Sequence, residues 1–272
     1  VHSTPVIEFT LSDTALCLKN NEFIFNNNSS NPDGLSLSYS WDLGDSTRVN
    51  TSNTYRKYSK SGDYFVRLIG ESSFGCKDST IEKLTIFEQP FASFLTVNSN
   101  QCYRDNEFEF INTSKIKGNE ILKSYWDFGD GRFDTASNPK LSFMTPGIFN
   151  VTLAIESTKG CKDTSTSKVN IYEEPTVKFS VIKSDTCFEK NLIKFTNNSS
   201  TNNQSTFTYK WIFGDHNESI GDNPIHKYSS FDTFEIQLKG TTSFGCVDSF
   251  FQEVIIYPNP SADFSVNGLQ QC

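Results

Sequence analysis

The sequence has few of the features that nucleic-acid-binding and membrane-spanning proteins need. Its 24 Lys and Arg residues are outnumbered by 32 Asp and Glu residues, which gives a formal net charge of −8. The surface therefore lacks the basic patch that a polyanion or an anionic membrane leaflet requires. No run of about 18 apolar residues is present to cross a bilayer. We expect neither nucleic-acid binding nor membrane insertion of this segment.

Methionine occurs once and histidine three times, whereas there are 25 Phe and 10 Tyr residues in a chain of 272. Aromatic residues together with abundant Thr, Ser, Asn and Gly favour strands and turns over helices, so we predict an all-β protein. The opening stretch VHSTPVIEFT has neither an initiator Met nor the layout of a signal peptide, and we expect an internal segment of a longer chain.

The cysteines reveal an internal repeat. Successive gaps between them alternate between 59 and 26 residues, which gives a period of 85 residues without insertions. A period of this length predicts consecutive small domains rather than a solenoid. We predict domains at 1–88, 89–173 and 174–258, with 259–272 as the truncated start of a fourth. Each repeat has an early cysteine (Cys17, Cys102, Cys187, and Cys272 in the fourth) and a late cysteine (Cys76, Cys161, Cys246).

Within each repeat, residues of alternating type predict half-buried strands. EFIFNN and EFEFIN place Phe at every second position, and YFVRL, FNVTL and FEIQL alternate in the same way. Turn clusters separate these segments at the spacing typical of sandwiches and barrels. We predict about seven strands per repeat in an immunoglobulin-like sandwich. Short Pro-containing joints without flexible Gly/Ser stretches predict a stiff, elongated array.

The segments YSWDLGD, YWDFGDG and KWIFGDH resemble the signature of the PKD domain, an immunoglobulin-like β-sandwich. Each is followed at 20-odd residues by a strand of the type GxYxVxL. The third repeat departs from the pattern at Ile212, His216 and Asp232. The segments GCKDS, GCKDT and GCVDS, together with the early cysteine, resemble repeats of the giant surface adhesins of gliding bacteria (SprB-like proteins).

The resemblance implies an extracellular, non-catalytic module that acts as a spacer and in some proteins contacts glycans or other proteins. It also implies a fold-signature role for six residues, with each Trp buried on a central strand and each Asp in the tight turn that follows. These residues are Trp41, Asp45, Trp126, Asp130, Trp211 and Asp215.

The turn acids allow a second interpretation. Asp127 and Asp130 are a candidate general acid and base, or candidate cation ligands, and an acid two residues after each late cysteine (Asp78, Asp163, Asp248) is a candidate to complete a calcium site. We favour carboxylates that bond their own backbone in a tight turn. No cofactor and no metal site are expected.

Cysteine and histidine do not form a metal motif, because no CxxC occurs and His2, His216 and His226 do not follow the period. The cysteines instead predict a disulfide framework of Cys17, Cys76, Cys102, Cys161, Cys187 and Cys246. Two pairings fit the spacing: early with late cysteine inside one repeat, as in Cys17–Cys76, or late cysteine with the next early one, as in Cys76–Cys102. We favour the first, since about 12 residues of strand, roughly 40 Å, follow Cys76 before the next repeat.

Three aromatic residues recur beside the joints: Phe87, Tyr172 and Tyr257. They are candidates for stacking on sugars. Packing between consecutive repeats is the interpretation that we favour.

The function that these observations predict is a stalk of a bacterial cell-surface adhesin, acting in adhesion or gliding motility. We expect a monomer whose partners are its neighbouring repeats, with extracellular glycans or surface ligands as further candidates. The alternative is an accessory polysaccharide- or protein-binding region of a secreted hydrolase. We expect no enzymatic activity, because no catalytic motif such as GxSxG or HExxH occurs.

Overall fold

The computed structural model describes residues 2–118, 122–183, 186–201 and 206–265. Within these ranges the chain consists of strands, turns and one short 3₁₀ helix at Phe188–Lys190. The predicted all-β class with tandem immunoglobulin-like sandwiches is confirmed. No helix in the described ranges is long and apolar enough to cross a membrane.

Each repeat has one three-stranded sheet and one larger sheet. In the first repeat their orders are β1-β3-β6 and β2-β8-β7-β4-β5. The strands are β1 Phe9–Leu11, β2 Ala15–Cys17, β3 Phe23–Asn27, β4 Leu37–Asp42, β5 Arg48–Val49, β6 Thr54–Arg56, β7 Gly62–Ser72 and β8 Lys77–Phe87.

The second repeat has the same arrangement, with sheet orders β14-β11-β9 and β10-β16-β15-β12-β13. Its strands are β9 Phe94–Val97, β10 Asn100–Cys102, β11 Phe108–Asn112, β12 Leu122–Asp127, β13 Phe133–Asp134, β14 Lys140–Leu141, β15 Gly147–Ser157 and β16 Lys162–Tyr172.

In the third repeat the sheet orders are β17-β18-β21 and β20-β19-β22-β23. Its strands are β17 Phe179–Lys183, β18 Ile193–Asn197, β19 Phe207–Ile212, β20 Glu218–Ser219, β21 Ile225–His226, β22 Thr233–Thr242 and β23 Val247–Ile255.

The core of each sandwich follows from the alternation of residues along its strands. In the first repeat, Phe23 and Phe25 on β3 and Trp41 on β4 are fully buried. On β7, Val66 and Leu68 are buried on the same face, while Arg67 between them is exposed. Burial of such side chains stabilises each sandwich by about 1.5–3 kcal/mol per residue.

A buried asparagine in every repeat joins two loops. The Asn21 amide donates to the carbonyls of Leu18 (2.7 Å) and Tyr58 (2.9 Å), and its oxygen accepts the Tyr58 N–H at 2.7 Å. Asn106 and Asn191 make the same three bonds in the other two repeats. These three residues follow the 85-residue period but were not among the residues predicted to matter from the sequence.

The chain forms two compact units, and each includes a part of the second repeat. The first contains the first repeat and the part of the second that carries Cys161, and the other contains the third repeat and the part of the second that carries Cys102. Their segments are Val1–Val97, Glu109–Lys140 and Phe149–Lys168 for unit 1, and Asn98–Phe108, Leu141–Ile148 and Val169–Cys272 for unit 2.

Candidate functional site at the repeat junctions

Two disulfides join consecutive repeats. Cys17 bonds to Cys161 within unit 1, and Cys102 bonds to Cys246 within unit 2, each with a Cα–Cα distance of 5.5 Å. Both bonds have a sequence separation of 144 residues. In each case the early cysteine of one repeat is joined to the late cysteine of the next.

The early cysteine lies where the chain leaves its repeat. Strand β2 pairs in parallel with the end of β8, which places Cys17 opposite Phe87. Strand β10 pairs in the same way with β16, which places Cys102 opposite Tyr172. The early cysteine therefore lies beside the last residues of its repeat, although it comes near the beginning of that repeat in the sequence.

The late cysteine is presented by a tight turn of the next repeat. The Cys161 carbonyl accepts the Ser157 N–H at 2.9 Å, and the Cys161 N–H donates to Ser157 Oγ at 3.2 Å. Cys246 is held in the same way by Thr242. Both sulfurs are buried, since Cys161 is 0% and Cys246 1% exposed.

The predicted pairings Cys17–Cys76 and Cys76–Cys102 are both wrong. Strand β8 has 11 residues, with Cys76 just before its start and Cys17 beside its end. This separation is about 36 Å at 3.3 Å per residue, whereas a disulfide requires Cα atoms within about 7 Å. The strand length used to argue against Cys76–Cys102 thus also excludes Cys17–Cys76. The sulfur of Cys102 is bonded to Cys246.

Three further cysteines are Cys76, Cys187 and Cys272. Cys76 is a free thiol, so its predicted disulfide is wrong for the part of the chain that the structure describes. Cys187 is exposed and forms an isolated parallel bridge with Tyr257. Both of its predicted partners are taken, because Cys246 is bonded to Cys102 and Cys161 to Cys17, so both predicted pairings of Cys187 are wrong. Cys272, predicted to open a fourth repeat, lies outside the described residues.

An aspartate two residues after each joined late cysteine supports the junction. Asp163 accepts the Ala92 N–H at 2.9 Å through Oδ2 and the Lys19 ammonium at 3.3 Å through Oδ1. Burial, the largest single influence, raises the pKa of Asp163, but the bonds from Ala92 and Lys19 outweigh it, and the pKa is lowered. The carboxylate is therefore held ionised beside the lysine of the preceding repeat.

The second junction repeats this arrangement with different side chains. Asp248 accepts the Val177 N–H at 3.0 Å and forms an ion pair with Arg104 at 3.6 Å. Lys19 and Arg104 both lie two residues after an early cysteine. Asp163 and Asp248, two of the candidate calcium ligands, are thus each engaged by a backbone N–H and a cation.

The recurring aromatic residues pack against the turn that precedes the late cysteine. The Lys159 ammonium lies 5.6 Å from the centroid of the Phe87 ring. Tyr172 stacks on Phe244 with ring centroids 4.0 Å apart and an interplanar angle of 1°. Junction packing, the favoured interpretation, holds for Phe87 and Tyr172. Tyr257 is 53% exposed.

The fold-signature tryptophans are buried and anchored to the loop that follows. Each indole Nε1–H donates to a backbone carbonyl ten residues later, at 2.9 Å from Trp41 and Trp126 and 2.8 Å from Trp211. The bond fixes the loop beyond the WDFGD turn to the core. A tryptophan held in this way has a structural role.

The turn acids bond their own backbone and a neighbouring cation. Asp45 Oδ1 accepts the Thr47 N–H at 3.1 Å, and its Oδ2 lies 2.7 Å from the Arg56 guanidinium. Burial, the largest single influence, raises the pKa of Asp45, but the bonds from Thr47 and Arg56 outweigh it and lower the pKa. Asp127, the other candidate catalytic acid, accepts the Gly129 N–H at 2.8 Å.

The side-chain partner of the turn acid changes position from repeat to repeat. Asp130 pairs with Arg132 at 2.6 Å, and Asp215 pairs with His226 Nε2 at 2.7 Å. His226 occupies the position of Arg56 two periods later, and neither residue was predicted from the sequence to pair with a turn acid. The pKa of both acids is lowered, because these bonds outweigh the effect of burial, which is the largest single influence and raises it.

The candidate metal ligands and the candidate acid–base pair can be assessed for the part of the chain that the structure describes. Among the residues that the structure describes, no group of three or more His, Cys, Asp and Glu side chains is placed to hold a metal ion. The candidate acids Asp127 and Asp130 are engaged by backbone N–H groups of their own turn. The arrangement at the junctions serves instead to join one repeat to the next.

Comparison with known proteins gives one family and several similar structures. A family model described as PKD domain matches residues 2–86, 88–171 and 173–256. The PKD1 domain of Vibrio anguillarum Epp is 24% identical, with 32% of this chain and 96% of that chain covered and a TM-score of 0.28. The PKD1 domain of the Vibrio cholerae metalloprotease PrtV is 26% identical, with 31% and 98% covered and a TM-score of 0.28. A structure from a 1.5-MDa bacterial ice-binding adhesin is 7% identical, with 96% and 100% covered and a TM-score of 0.38.

Proposed function

Because the chain belongs to the PKD domain family, we propose that it is a non-catalytic, load-bearing segment of a large bacterial cell-surface adhesin. Its tandem repeats hold a distal binding region away from the cell, in adhesion or gliding motility. The observation that carries this proposal is the pair of disulfides that join consecutive repeats. Stable disulfides fit an oxidising, extracellular compartment.

The two disulfides shorten the covalent path along which force travels. The backbone from residue 1 to residue 272 has 271 steps. The shortest path through the disulfides uses only 1–17, 102–161 and 246–272, which is 101 steps. At about 3.6 Å per residue the extended lengths are ~980 Å and ~360 Å. A stalk joined in this way cannot be drawn out to its full backbone length while its disulfides are intact.

Pulling on single molecules tests the load-bearing role. Handles at the two ends of the full chain would measure the final contour length with and without reductant. We expect ~360 Å for the oxidised chain and ~980 Å after reduction. An oxidised chain that extends to the same length as the reduced chain would contradict the proposal.

The size and location of the parent protein test the biological setting. An antibody raised against this segment would be used on the source cells, with and without protease added outside the cells. A band of several hundred kilodaltons that external protease removes is the expected result. A smaller protein found free in the medium would contradict a surface stalk.

The narrower assignment to an adhesin of gliding bacteria is supported by the GCKDS, GCKDT and GCVDS segments. Loss of gliding or of surface attachment after deletion of the gene is the expected outcome. Unchanged gliding and unchanged attachment would oppose it.

A second candidate, an accessory region that holds a secreted hydrolase on a polymer, is favoured by the exposure of Tyr257. Sugar binding through stacking needs an open aromatic face. Tyr257→Ala would lower affinity for insoluble polysaccharide if this function were correct. Tyr172→Ala is the matched control, because the Tyr172 ring is stacked on Phe244.

A further inference from the structure

Both junctions use the same two sets of residues. One set, which we call the donor end, is the early cysteine with the residue two positions later: Cys17 with Lys19, or Cys102 with Arg104. The other set, which we call the acceptor face, is the late cysteine with the aspartate two positions later and the residue two positions earlier. Its members are Cys161, Asp163 and Lys159 at the first junction, and Cys246, Asp248 and Phe244 at the second.

The first repeat carries a third acceptor face, formed by Cys76, Asp78 and Phe74. Its turn has the geometry of the other two, because the Cys76 N–H donates to Ser72 Oγ at 3.2 Å and the Cys76 carbonyl accepts the Ser72 N–H at 2.9 Å. Phe74 stacks on the ring of His2 at 3.8 Å, and the same contact occurs two periods later between Phe244 and Tyr172.

This third face is more open than the two that are joined. Cys161 and Cys246 are buried, whereas Cys76 is partly exposed and its sulfur is a free thiol. Asp163 and Asp248 are partly buried, whereas Asp78 is exposed. The same local structure is therefore present without the covering that the donor end supplies at the other junctions.

We propose that the face formed by Cys76, Asp78 and Phe74 binds the donor end of another PKD-type repeat and forms a disulfide with its early cysteine. The partner is a repeat with Lys or Arg two positions after that cysteine, since Lys19 and Arg104 make this ion pair at the observed junctions. The inference stands on those two junctions and does not depend on the proposed load-bearing role.

Charge makes the face selective among such repeats. The third repeat of this chain has Glu189 where the first two have Lys19 and Arg104. Docking of that repeat from a second copy would bring Glu189 towards Asp78, and like charges at close range are unfavourable. A second copy of the chain is therefore a poor partner, and a repeat with a basic residue at this position is a good one.

The bond formation is a balanced thiol–disulfide exchange. The Cys76 thiolate attacks glutathione disulfide and releases one glutathione thiolate. The partner's cysteine thiolate then attacks the mixed disulfide at Cys76 Sγ and releases the second. Two cysteine thiols are oxidised, and one glutathione disulfide is reduced to two glutathione thiols.

The proposal can be tested with acceptor and donor variants of the full chain, in which substitutions change the charge at the contact. The acceptor variant is Cys187→Ser/Cys272→Ser, which retains Cys76. The donor variant is Cys76→Ser/Cys272→Ser, which retains Cys187, and it is made with Glu189 and with Glu189→Arg. Both donors are mixed with the acceptor in a glutathione redox buffer, and the Cys76–Cys187 bond is quantified by peptide mapping.

We expect the Glu189→Arg donor to form this bond about three- to tenfold faster than the Glu189 donor, because an attraction replaces a repulsion. Asp78→Lys in the acceptor should reverse the preference. Comparison of two donors on one acceptor cancels any change in the reactivity of Cys76 itself. Equal rates for both donors on both acceptors would overturn the proposal. Recovery of Cys76 only as a mixed disulfide with glutathione would also overturn the proposal.

Discussion

The Cα atoms of Cys17 and Cys161 lie 5.5 Å apart although the two residues are 144 positions apart in the chain and belong to consecutive repeats. The corresponding pair, Cys102 and Cys246, has the same Cα separation and the same spacing in sequence. The loop-entropy model assigns about 5 kcal/mol to closing a loop of this length. Each bond thus stabilises a pair of repeats rather than one repeat alone.

Removal of the first of these bonds should destabilise unit 1. We expect Cys17→Ser/Cys161→Ser to lower the free energy of unfolding by about 2–5 kcal/mol. Cys76→Ser is the matched control and should change stability by less than about 0.5 kcal/mol, because Cys76 is a free thiol among the described residues. Urea denaturation of both variants checks this, and equal stability of the two would contradict it.

Truncation of a signature tryptophan should cost more than truncation of an exposed aromatic residue. Trp126 is 1% exposed and its indole N–H bonds to the Ala136 carbonyl. We expect Trp126→Ala to destabilise the chain by about 3–5 kcal/mol. Phe133→Ala, at a position that is 73% exposed, should cost less than about 1 kcal/mol. Thermal unfolding followed by circular dichroism compares them, and similar losses would refute a core role for Trp126.

Substitution of two glycines of the same turn distinguishes the cost of backbone strain from the cost of a steric clash. Gly129 and Gly131 both have positive φ, at 76° and 89°. A Cβ at Gly129 would lie 2.7 Å from the Asn150 carbonyl oxygen, whereas a Cβ at Gly131 would have nothing within 4 Å. We expect Gly131→Ala to cost about 1–2 kcal/mol and Gly129→Ala to cost clearly more. Chemical denaturation measures the difference, and equal costs would show that the clash is relieved freely.

The turn carboxylates should make the protein sensitive to acid. Asp45, Asp130 and Asp215 have pKa values below the ordinary value of 3.8 in the folded chain. The unfolded chain therefore binds protons first as the pH falls, so the stabilisation is complete above about pH 4 and is lost as the pH falls through the folded pKa. We expect a steep fall in stability below pH 4.

Asp130→Asn should reduce this acid dependence. The neutral amide cannot lose a charge, so the difference in unfolding free energy between pH 6 and pH 3 should be smaller in the variant than in the parent. Asp13→Asn, at an exposed position, is the control for the change in net charge. Identical pH dependence of the Asp130→Asn variant and the parent would contradict the role assigned to this carboxylate.

Features that depend on local pattern could be predicted from the sequence. Alternation along the strands indicated the sandwich, and the 85-residue period indicated three repeats. The disulfide pairing depends on a non-local fact, the parallel register of β2 with the end of β8, which carries Cys17 to the exit of the repeat. Nothing in the spacing of the cysteines alone encodes that register.

Other features of the structure were only partly predictable from the sequence. The recurrence of Asn21, Asn106 and Asn191 at the period was visible, but their burial depends on the meeting of two loops. The side-chain partner of each turn acid is Arg56 or His226 at one position of the repeat and Arg132 at another, so it follows no period. Because the partner of the turn acid can come from either of two sequence positions, the pair does not recur at a fixed spacing and cannot be recognised from the repeat alone.

The disulfide map of the oxidised protein tests most directly whether consecutive repeats are covalently joined. Digestion without reductant, followed by mass spectrometry of the linked peptides, identifies the pairs. We predict one peptide pair that joins Cys17 to Cys161 and another that joins Cys102 to Cys246. Peptides that join Cys17 to Cys76 and Cys102 to Cys161 would contradict it, and the repeats would then be joined only by their backbone and their surface contacts.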